Sequence, residues 1–81
     1  MKNIYIGRCQ ICQEYGMLEI VVETNSQHYS VMCDECSTEW GTPEEAFNNI
    51  NGFRGGVRRK VRNATIQEIK KRKWDKYIIK N

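Results

Sequence analysis

The stretches C-Q-I-C at residues 9–12 and C-D-E-C at residues 33–36 decide the fold, because they hold all four cysteines of the chain. A Cys-x-x-Cys turn, called a knuckle below, places two sulfurs on one side of a tight bend. Two knuckles that face each other can surround one metal ion tetrahedrally, with metal–sulfur bonds of about 2.3 Å. The spacing therefore predicts a single metal site with the ligands Cys9, Cys12, Cys33 and Cys36.

Three interpretations of this site stay open at the level of sequence. One structural Zn²⁺ is favoured, because four thiolates close the coordination shell and leave no position for water or substrate. Iron also suits a tetrahedral all-sulfur site. Disulfide or dithiol redox chemistry is more typical of a Cys-x-x-Cys within a βαβ unit, and the pattern here does not predict one.

The length of the chain makes a metal useful. Its 81 residues suffice for one domain, and a core of that size seldom supplies more than about 3–5 kcal/mol without a staple. Neither a signal peptide nor an apolar run of about 18 residues is visible. We therefore expect a cytoplasmic protein without membrane association, in a compartment where thiols stay reduced.

The segment between the knuckles predicts a β-hairpin. Residues 17–23 (M-L-E-I-V-V-E) are rich in β-branched side chains, residues 24–27 are polar, and residues 28–32 (H-Y-S-V-M) alternate back toward Cys33. Residues 3–7 predict a further short strand that leads to Cys9. Such a hairpin would bring the two knuckles together.

Two helices are predicted after the second knuckle. Thr42 can cap the first, with Pro43 at its first position and Glu45 completing a capping box, and the pair Asn51-Gly52 predicts its end. Thr65 starts a second helix, predicted from about residue 66 to residue 77. The apolar stripe of that helix consists of Ile66, Ile69, Trp74, Tyr77 and Ile78.

The aromatic residues have two interpretations each. Trp40 is expected to pack against the metal site and Phe47, since a small fold needs a large apolar residue. Trp74 and Tyr77 either dock the last helix on the rest of the chain or anchor a partner. Docking is favoured, because an undocked stripe would leave an exposed apolar patch.

Together these patterns predict a small α+β fold: a zinc ribbon, with a β-hairpin and two knuckles, followed by a short helix and a basic C-terminal helix. We expect three segments. They are a zinc ribbon with its capping helix at residues 1–51, a Gly/Arg-rich linker at residues 52–63, and a basic amphipathic helix at residues 64–81.

Residues 3–51 resemble the zinc-ribbon superfamily in their order of knuckle, hairpin, knuckle and helix. Gln10 stands where proline is frequent in such knuckles, and Gln13 and Ser37 stand where glycine is frequent. The order of elements, with T-P-E-E-A at residues 42–46, is also similar to the small restriction-alleviation (Lar-like) zinc ribbons.

A second resemblance covers C-D-E-C-S-T-E-W at residues 33–40 and A-T-I-Q-E-I-K-K-R-K-W-D-K-Y-I at residues 64–78. These stretches resemble small zinc-ribbon proteins that accompany polymorphic or contact-dependent toxins as immunity proteins. The resemblance implies a protein partner and no catalysis.

Charge divides the chain into two halves. Residues 1–51 carry two cations and eight acids, whereas residues 52–81 carry eleven cations and two acids, which gives the overall charge of +3. Such asymmetry indicates either a polyanionic partner or two halves that attract each other.

Together with the resemblance, the charge pattern supports two functional hypotheses, of which the first is favoured and the second is the alternative. In the first, a partner protein such as a toxin domain docks on an acidic face, and the chain neutralises it; that face comprises Glu35, Glu39, Glu44 and Glu45. In the second, a basic arm binds DNA or RNA phosphates; the arm comprises Arg54, Arg58, Arg59, Lys60 and Arg62. An enzyme is not expected, because no catalytic constellation is visible. The sequence leaves open whether the protein is a monomer or a dimer.

Overall fold

The computed structural model describes residues 4–12, 15–54 and 60–79, so the candidate nucleic-acid ligands Arg58 and Arg59 lie outside the described residues. The elements, in chain order, are β1 (Tyr5–Arg8), β2 (Met17–Glu23), β3 (Tyr29–Cys33), β4 (Thr38–Trp40), α1 (Pro43–Asn48), β5 (Phe53–Arg54), β6 (Val61–Asn63), α2 (Ile66–Lys71) and a 3-10 turn (Asp75–Tyr77). The chain is thus a small α+β fold with an antiparallel sheet and two short helices.

Strand β2 is the centre of the sheet. The strand order is β1-β2-β3-β4-β5, and β6 pairs with β2 beyond the end of β1. On one side, β2 pairs first with β1, through Met17 and Arg8, and then with β6, through Val21 and Asn63. On its other side it pairs with β3 over five residues. The hairpin predicted between the knuckles is therefore present.

The core lies on one face of β2. Leu18, Ile20 and Val22 alternate along the strand and are all buried, as a half-buried strand requires. They pack in a cluster whose other buried members come from β1, β3, β4, both helices and the adjoining residues Cys9 and Ala64. Trp40 is fully buried in that cluster, and Phe47 is partly buried against the cluster.

Helix α1 follows its predicted start but ends earlier than predicted. The Thr42 hydroxyl accepts a hydrogen bond from the Glu45 backbone at 3.2 Å. The end is set by Asn49, which adopts a left-handed conformation with φ of 52°. Its amide and that of Ile50 bond back to the carbonyls of Ala46 and Glu45. The stop is thus Asn49 and not the pair Asn51-Gly52, because asparagine tolerates this conformation.

The C-terminal helix is also shorter than predicted. Helix α2 has the predicted capping box between Thr65 and Glu68, but it ends at Lys71 and not near Tyr77. The amide of Lys73 bonds to the carbonyl of Lys70, and that of Trp74 bonds to the carbonyl of Ile69, which is the hydrogen-bond pattern of a Schellman motif. Lys73 has a φ of 61° in that motif. The sequence does not signal this stop, because lysine stands where glycine is usual.

Two short strands lie within the segment predicted as a linker. Strand β5 pairs with β4, through Phe53 and Glu39, and β6 pairs with β2. The amide of Thr24 donates to the carbonyl of Lys60 at 3.0 Å, which extends this pairing by one residue. The basic composition of residues 52–63 hides these strands, since pairing with β2 and β4 is a long-range effect.

The residues after α2 dock on the ribbon. Trp74, Tyr77 and Ile78 are partly buried against the core cluster. The rings of Phe47 and Tyr77 lie 5.4 Å apart at 60°. The docking interpretation of the aromatic stripe is therefore confirmed, with a turn in place of the predicted last helical turns.

None of the helices in the described part of the chain has the length and hydropathy of a membrane-spanning segment.

Candidate metal centre

The four cysteines converge at one end of the sheet. Cys9 follows β1 and Cys33 ends β3, while Cys12 and Cys36 lie in the turns that follow them. The four sulfurs all lie within 4.8 Å of one another. The sequence prediction of a single four-cysteine cluster agrees with this arrangement.

Two short sulfur–sulfur distances connect one knuckle with the other. Cys9 Sγ lies 3.7 Å from Cys36 Sγ, and Cys12 Sγ lies 3.7 Å from Cys33 Sγ. A regular tetrahedron with metal–sulfur bonds of about 2.3 Å has edges of about 3.8 Å. A disulfide would need about 2.05 Å, and all four cysteines are free. The geometry therefore fits four thiolates around one ion such as zinc.

Backbone and hydroxyl groups surround the sulfurs. Cys33 Sγ accepts hydrogen bonds from the amides of Glu35 and Cys36 at 3.3 and 3.4 Å, and Cys9 Sγ accepts one from the amide of Cys12 at 3.5 Å. The hydroxyl of Thr38 lies 3.2 Å from Cys36 Sγ. Such contacts stabilise negative charge on sulfur, as a metal–thiolate site requires.

Strand β2 holds the two knuckles at the correct separation. The amide of Cys9 donates to the carbonyl of Gly16 at 2.9 Å, which closes the first knuckle. The carbonyl of Met17 accepts from the amide of Asp34 at 3.0 Å, and the amide of Met17 donates to the Asp34 carboxylate at 2.9 Å. Both knuckles are thus anchored to the first residues of β2. Asp34 is a structural residue in this arrangement.

Two further residues shape the site, and sequence reasoning identified only one of them. Ser37 has a φ of 64°, the left-handed conformation for which glycine is frequent after a knuckle. A Cβ on Gly16 would lie 2.3 Å from Cys33 Sγ and 3.3 Å from Cys12 Sγ. Gly16 is not among the predicted site residues, although a glycine four residues after Cys12 could have indicated a close approach of the backbone to the cysteines.

The thiols differ in acidity. Hydrogen bonding to Cys36, followed by burial, raises the pKa of Cys12 to about 12. Burial raises the pKa of Cys36, but hydrogen bonds from Thr38, Cys12 and Cys33 outweigh it and lower that pKa to about 6. Burial also raises the pKa of Cys33. Removing every proton from this cluster at neutral pH therefore requires a bound cation.

The four acidic residues assigned to a docking face do not form one free surface. Glu39 is only 1% exposed and accepts a hydrogen bond from the Ser30 hydroxyl at 2.8 Å. Glu44 accepts one from the Tyr77 hydroxyl, and Glu45 accepts one from the Asn51 side chain at 2.9 Å. Among these four acids, only Glu35, on the second knuckle, is exposed and makes no side-chain hydrogen bond to a described residue.

The described members of the basic arm are likewise engaged in part. The Arg62 guanidinium makes two hydrogen bonds to the Glu68 carboxylate, at 2.8 and 2.7 Å. That pair lowers the pKa of Glu68 to about 2 and raises that of Arg62. Lys60 is exposed, and Arg54 lies in β5. Arg54 and Arg62 thus lie in strands of the sheet, and Lys60 directly precedes β6.

Comparisons with protein-family models, with curated proteins and with solved structures find no match to this chain.

Proposed function

We propose that this chain is a non-catalytic interaction protein in which one structural Zn²⁺ holds the fold together. The convergence of four cysteine sulfurs within 4.8 Å carries the proposal. Thiolates are soft ligands, and a tetrahedral set of four is typical of structural zinc. Zinc binding to such a site contributes on the order of 10 kcal/mol of folding free energy at neutral pH.

The composition of the site supports a structural role over a catalytic one. Four protein ligands fill the shell of a tetrahedral ion, so no position is left for water or substrate. Cys9 and Cys33 are buried and belong to the core cluster, which makes the metal part of the packing. The carboxylate of Asp34, which lies between Cys33 and Cys36 in the sequence, accepts a hydrogen bond from the backbone of Met17.

Nucleic acid is the ligand that the surface charges favour. Glu39 is buried, so the acidic face is reduced to Glu35, Glu44 and Glu45, and the last two already accept hydrogen bonds within the chain. The basic residues of the C-terminal part remain largely exposed. A surface of this sign attracts phosphates and gives salt-dependent binding with little sequence preference.

A protein partner is the second candidate, and the first knuckle supports it. Tyr15 is 86% exposed and Ile11 is 44% exposed, beside the metal ligand Cys12. Tyrosine is enriched at the energetic centres of protein interfaces. A chain that neutralises a toxin, as immunity-type proteins do, would use these residues together with Glu35.

The first experiment tests the metal. Purified full-length protein should contain one zinc per chain by elemental analysis, and Co²⁺ substitution should give the visible absorption bands of a tetrahedral thiolate site. A strong chelator should abolish the cooperative thermal transition, and added Zn²⁺ should restore it. A protein without stoichiometric zinc that keeps its far-ultraviolet spectrum in chelator would contradict the proposal.

The second experiment separates the ligands. Zinc-loaded protein is immobilised and exposed to lysate with and without nuclease treatment, and the captured material is analysed for nucleic acid and for protein. Capture that disappears after nuclease treatment supports nucleic acid as the ligand. Capture of one protein that survives nuclease treatment, and that is lost in a Tyr15→Ala/Glu35→Lys variant, supports the protein partner instead.

A further inference from the structure

The end of helix α2 gathers most of the cationic side chains in the described C-terminal part. Its Schellman motif turns the chain so that five cations are brought to one end of the helix, accompanied by Asp75 as the only acid within residues 70–76. We call these residues the basic turn: Lys70, Lys71, Arg72, Lys73 and Lys76. All five are exposed.

Arg72 is held in place by two aromatic rings. Its guanidinium carbon lies 4.6 Å from the centroid of the Tyr29 ring and 4.8 Å from that of the Trp74 ring. Contacts of a guanidinium with aromatic rings leave N–H donors of the group available to other ligands. A planar edge of donors fixed in this way is suited to the oxygens of a phosphate.

The acids near the basic turn do not neutralise it. The Glu68 carboxylate is occupied by Arg62 at 2.7 and 2.8 Å. No ion pair joins Lys70, Lys71 or Lys73 to a carboxylate among the described residues. The charge of the turn is therefore available to a ligand.

Strand β6 lies beside the same surface. Val22 on β2 pairs with Tyr29 on one side and with Arg62 on the other, and directly paired residues point to the same face of a sheet. Tyr29 and Arg62 therefore lie on the same face of the sheet, on either side of Val22, and Tyr29 also contacts Arg72 of the basic turn.

Interaction with the helix dipole explains the presence of only some of these cations. Lysines in the last turn of a helix stabilise it by about 0.3–1 kcal/mol each, which explains Lys70 and Lys71. The effect ends with the last turn, so it does not explain Lys73 and Lys76, which lie beyond it. Lys73 also occupies a left-handed conformation that disfavours a side chain. The cations beyond the helix therefore indicate a ligand.

We propose that the basic turn binds the sugar–phosphate backbone of a nucleic acid, with Arg72 donating to a phosphate from between Tyr29 and Trp74. This inference rests on nucleic acid as the ligand under the proposed function. It places the main contact on residues 70–76, and not on the arm that includes Arg58, Arg59 and Lys60. An acidic protein surface is the competing partner for the same charge.

The experiment compares two triple variants of the full zinc-loaded chain that remove equal charge. Lys70→Gln/Lys71→Gln/Lys73→Gln alters the basic turn, and Arg58→Gln/Arg59→Gln/Lys60→Gln alters the arm. Binding to a duplex DNA of 20 base pairs and to a single-stranded RNA of 20 nucleotides is measured by fluorescence anisotropy across a salt series. Zinc content and thermal unfolding confirm that each variant is folded.

We expect the turn variant to lose affinity at least tenfold. Its slope of log K against log salt should be shallower by about 2–3 for duplex DNA, because three phosphate contacts are lost at about 0.9 each. Arg72→Lys keeps the charge but not the planar edge, and it should also weaken binding. If both triple variants lose affinity equally, binding depends on total charge and not on the basic turn. That result would overturn the inference.

Two other outcomes are decisive. If only the arm variant loses affinity, the basic turn is not the contact, although nucleic acid remains the ligand. If the wild-type protein binds neither oligonucleotide at low salt, nucleic acid itself is ruled out as the ligand, and the inference falls with it. Binding to polyglutamate that exceeds binding to both oligonucleotides would assign the turn to an acidic protein.

Discussion

The α-carbon of Gly16 lies against the sulfur of Cys33, so that a Cβ at residue 16 would be only 2.3 Å from Cys33 Sγ. This contact lets the chain pass from the first knuckle into β2 directly beside the metal site. The obstructing atom belongs to the four-cysteine cluster at the end of β3, so moving it aside would distort the tetrahedral arrangement of sulfurs. The absence of a side chain at Gly16 is therefore required for the observed arrangement of the sulfurs.

Gly16→Ala should weaken metal binding at least tenfold, which corresponds to about 1.4 kcal/mol. The added methyl group must displace Cys33 Sγ or the backbone of the first knuckle. Competition with a chromophoric chelator measures the affinity. The control is Gly41→Ala, whose new Cβ would meet only the flexible end of Glu45 at 3.1 Å. Equal affinities in both variants would show that the knuckle adapts.

Ser37→Gly should stabilise the zinc-loaded protein by up to about 1 kcal/mol. The residue has a φ of 64°, where a side chain costs roughly 1–2 kcal/mol and glycine costs little. Part of the gain is lost because glycine increases the entropy of the unfolded chain. Denaturant unfolding at fixed free zinc measures the change. Ser37→Ala removes the hydroxyl but keeps a Cβ, so it should give no gain; a gain in that variant would assign the effect to the hydroxyl.

Lys73→Gly should also be stabilising, by about 1 kcal/mol, although it removes a charge. Lys73 has a φ of 61° at the Schellman position where glycine is preferred. The same substitution at Lys71, which is the last residue of α2, should instead cost about 0.5–1 kcal/mol. If α2 ends as described, thermal unfolding should show a stabilised Lys73→Gly variant and a destabilised Lys71→Gly variant. Destabilisation of similar size at both residues would indicate a helix that continues through residue 73.

The bond between Tyr77 and Glu44 should make stability depend on alkaline pH. The Tyr77 hydroxyl donates to Glu44, which raises the pKa of Tyr77 above its ordinary value of 10 and lowers that of Glu44. A raised pKa in the folded state gives stability that is present below pH 10 and is lost as the pH rises through the folded value. We therefore expect the stability difference between wild type and Tyr77→Phe to shrink above that pH.

Chemical unfolding of both proteins between pH 8 and about pH 11 provides the measurement. Taking the difference removes the contributions that the two proteins share, including zinc binding and lysine titration. A Glu44→Gln variant should lower the pH at which the Tyr77 phenolate forms, as followed by ultraviolet absorbance. A stability difference that stays constant over the whole range would mean that the bond is absent in solution.

The local part of the fold could be predicted from the sequence. The strand at residues 17–23, the capping residues Thr42 and Thr65, and the cluster of four cysteines are each encoded by neighbouring residues. The helix ends were harder to predict, because Asn49 and Lys73 adopt the left-handed conformation in which glycine is most frequent. The strands at Phe53–Arg54 and Val61–Asn63 were missed, since their composition is that of a basic linker.

The sequence by itself determined that two Cys-x-x-Cys turns would meet across a hairpin, because both the turn spacing and the alternation of β2 and β3 are local properties. Only the tertiary structure decided which charges remain exposed. Glu39 is buried beside Ser30, Arg62 is paired with Glu68, and Arg72 lies between Tyr29 and Trp74. These contacts join residues from different strands and helices, and pairing across a folded sheet leaves no periodic signal in the order of amino acids.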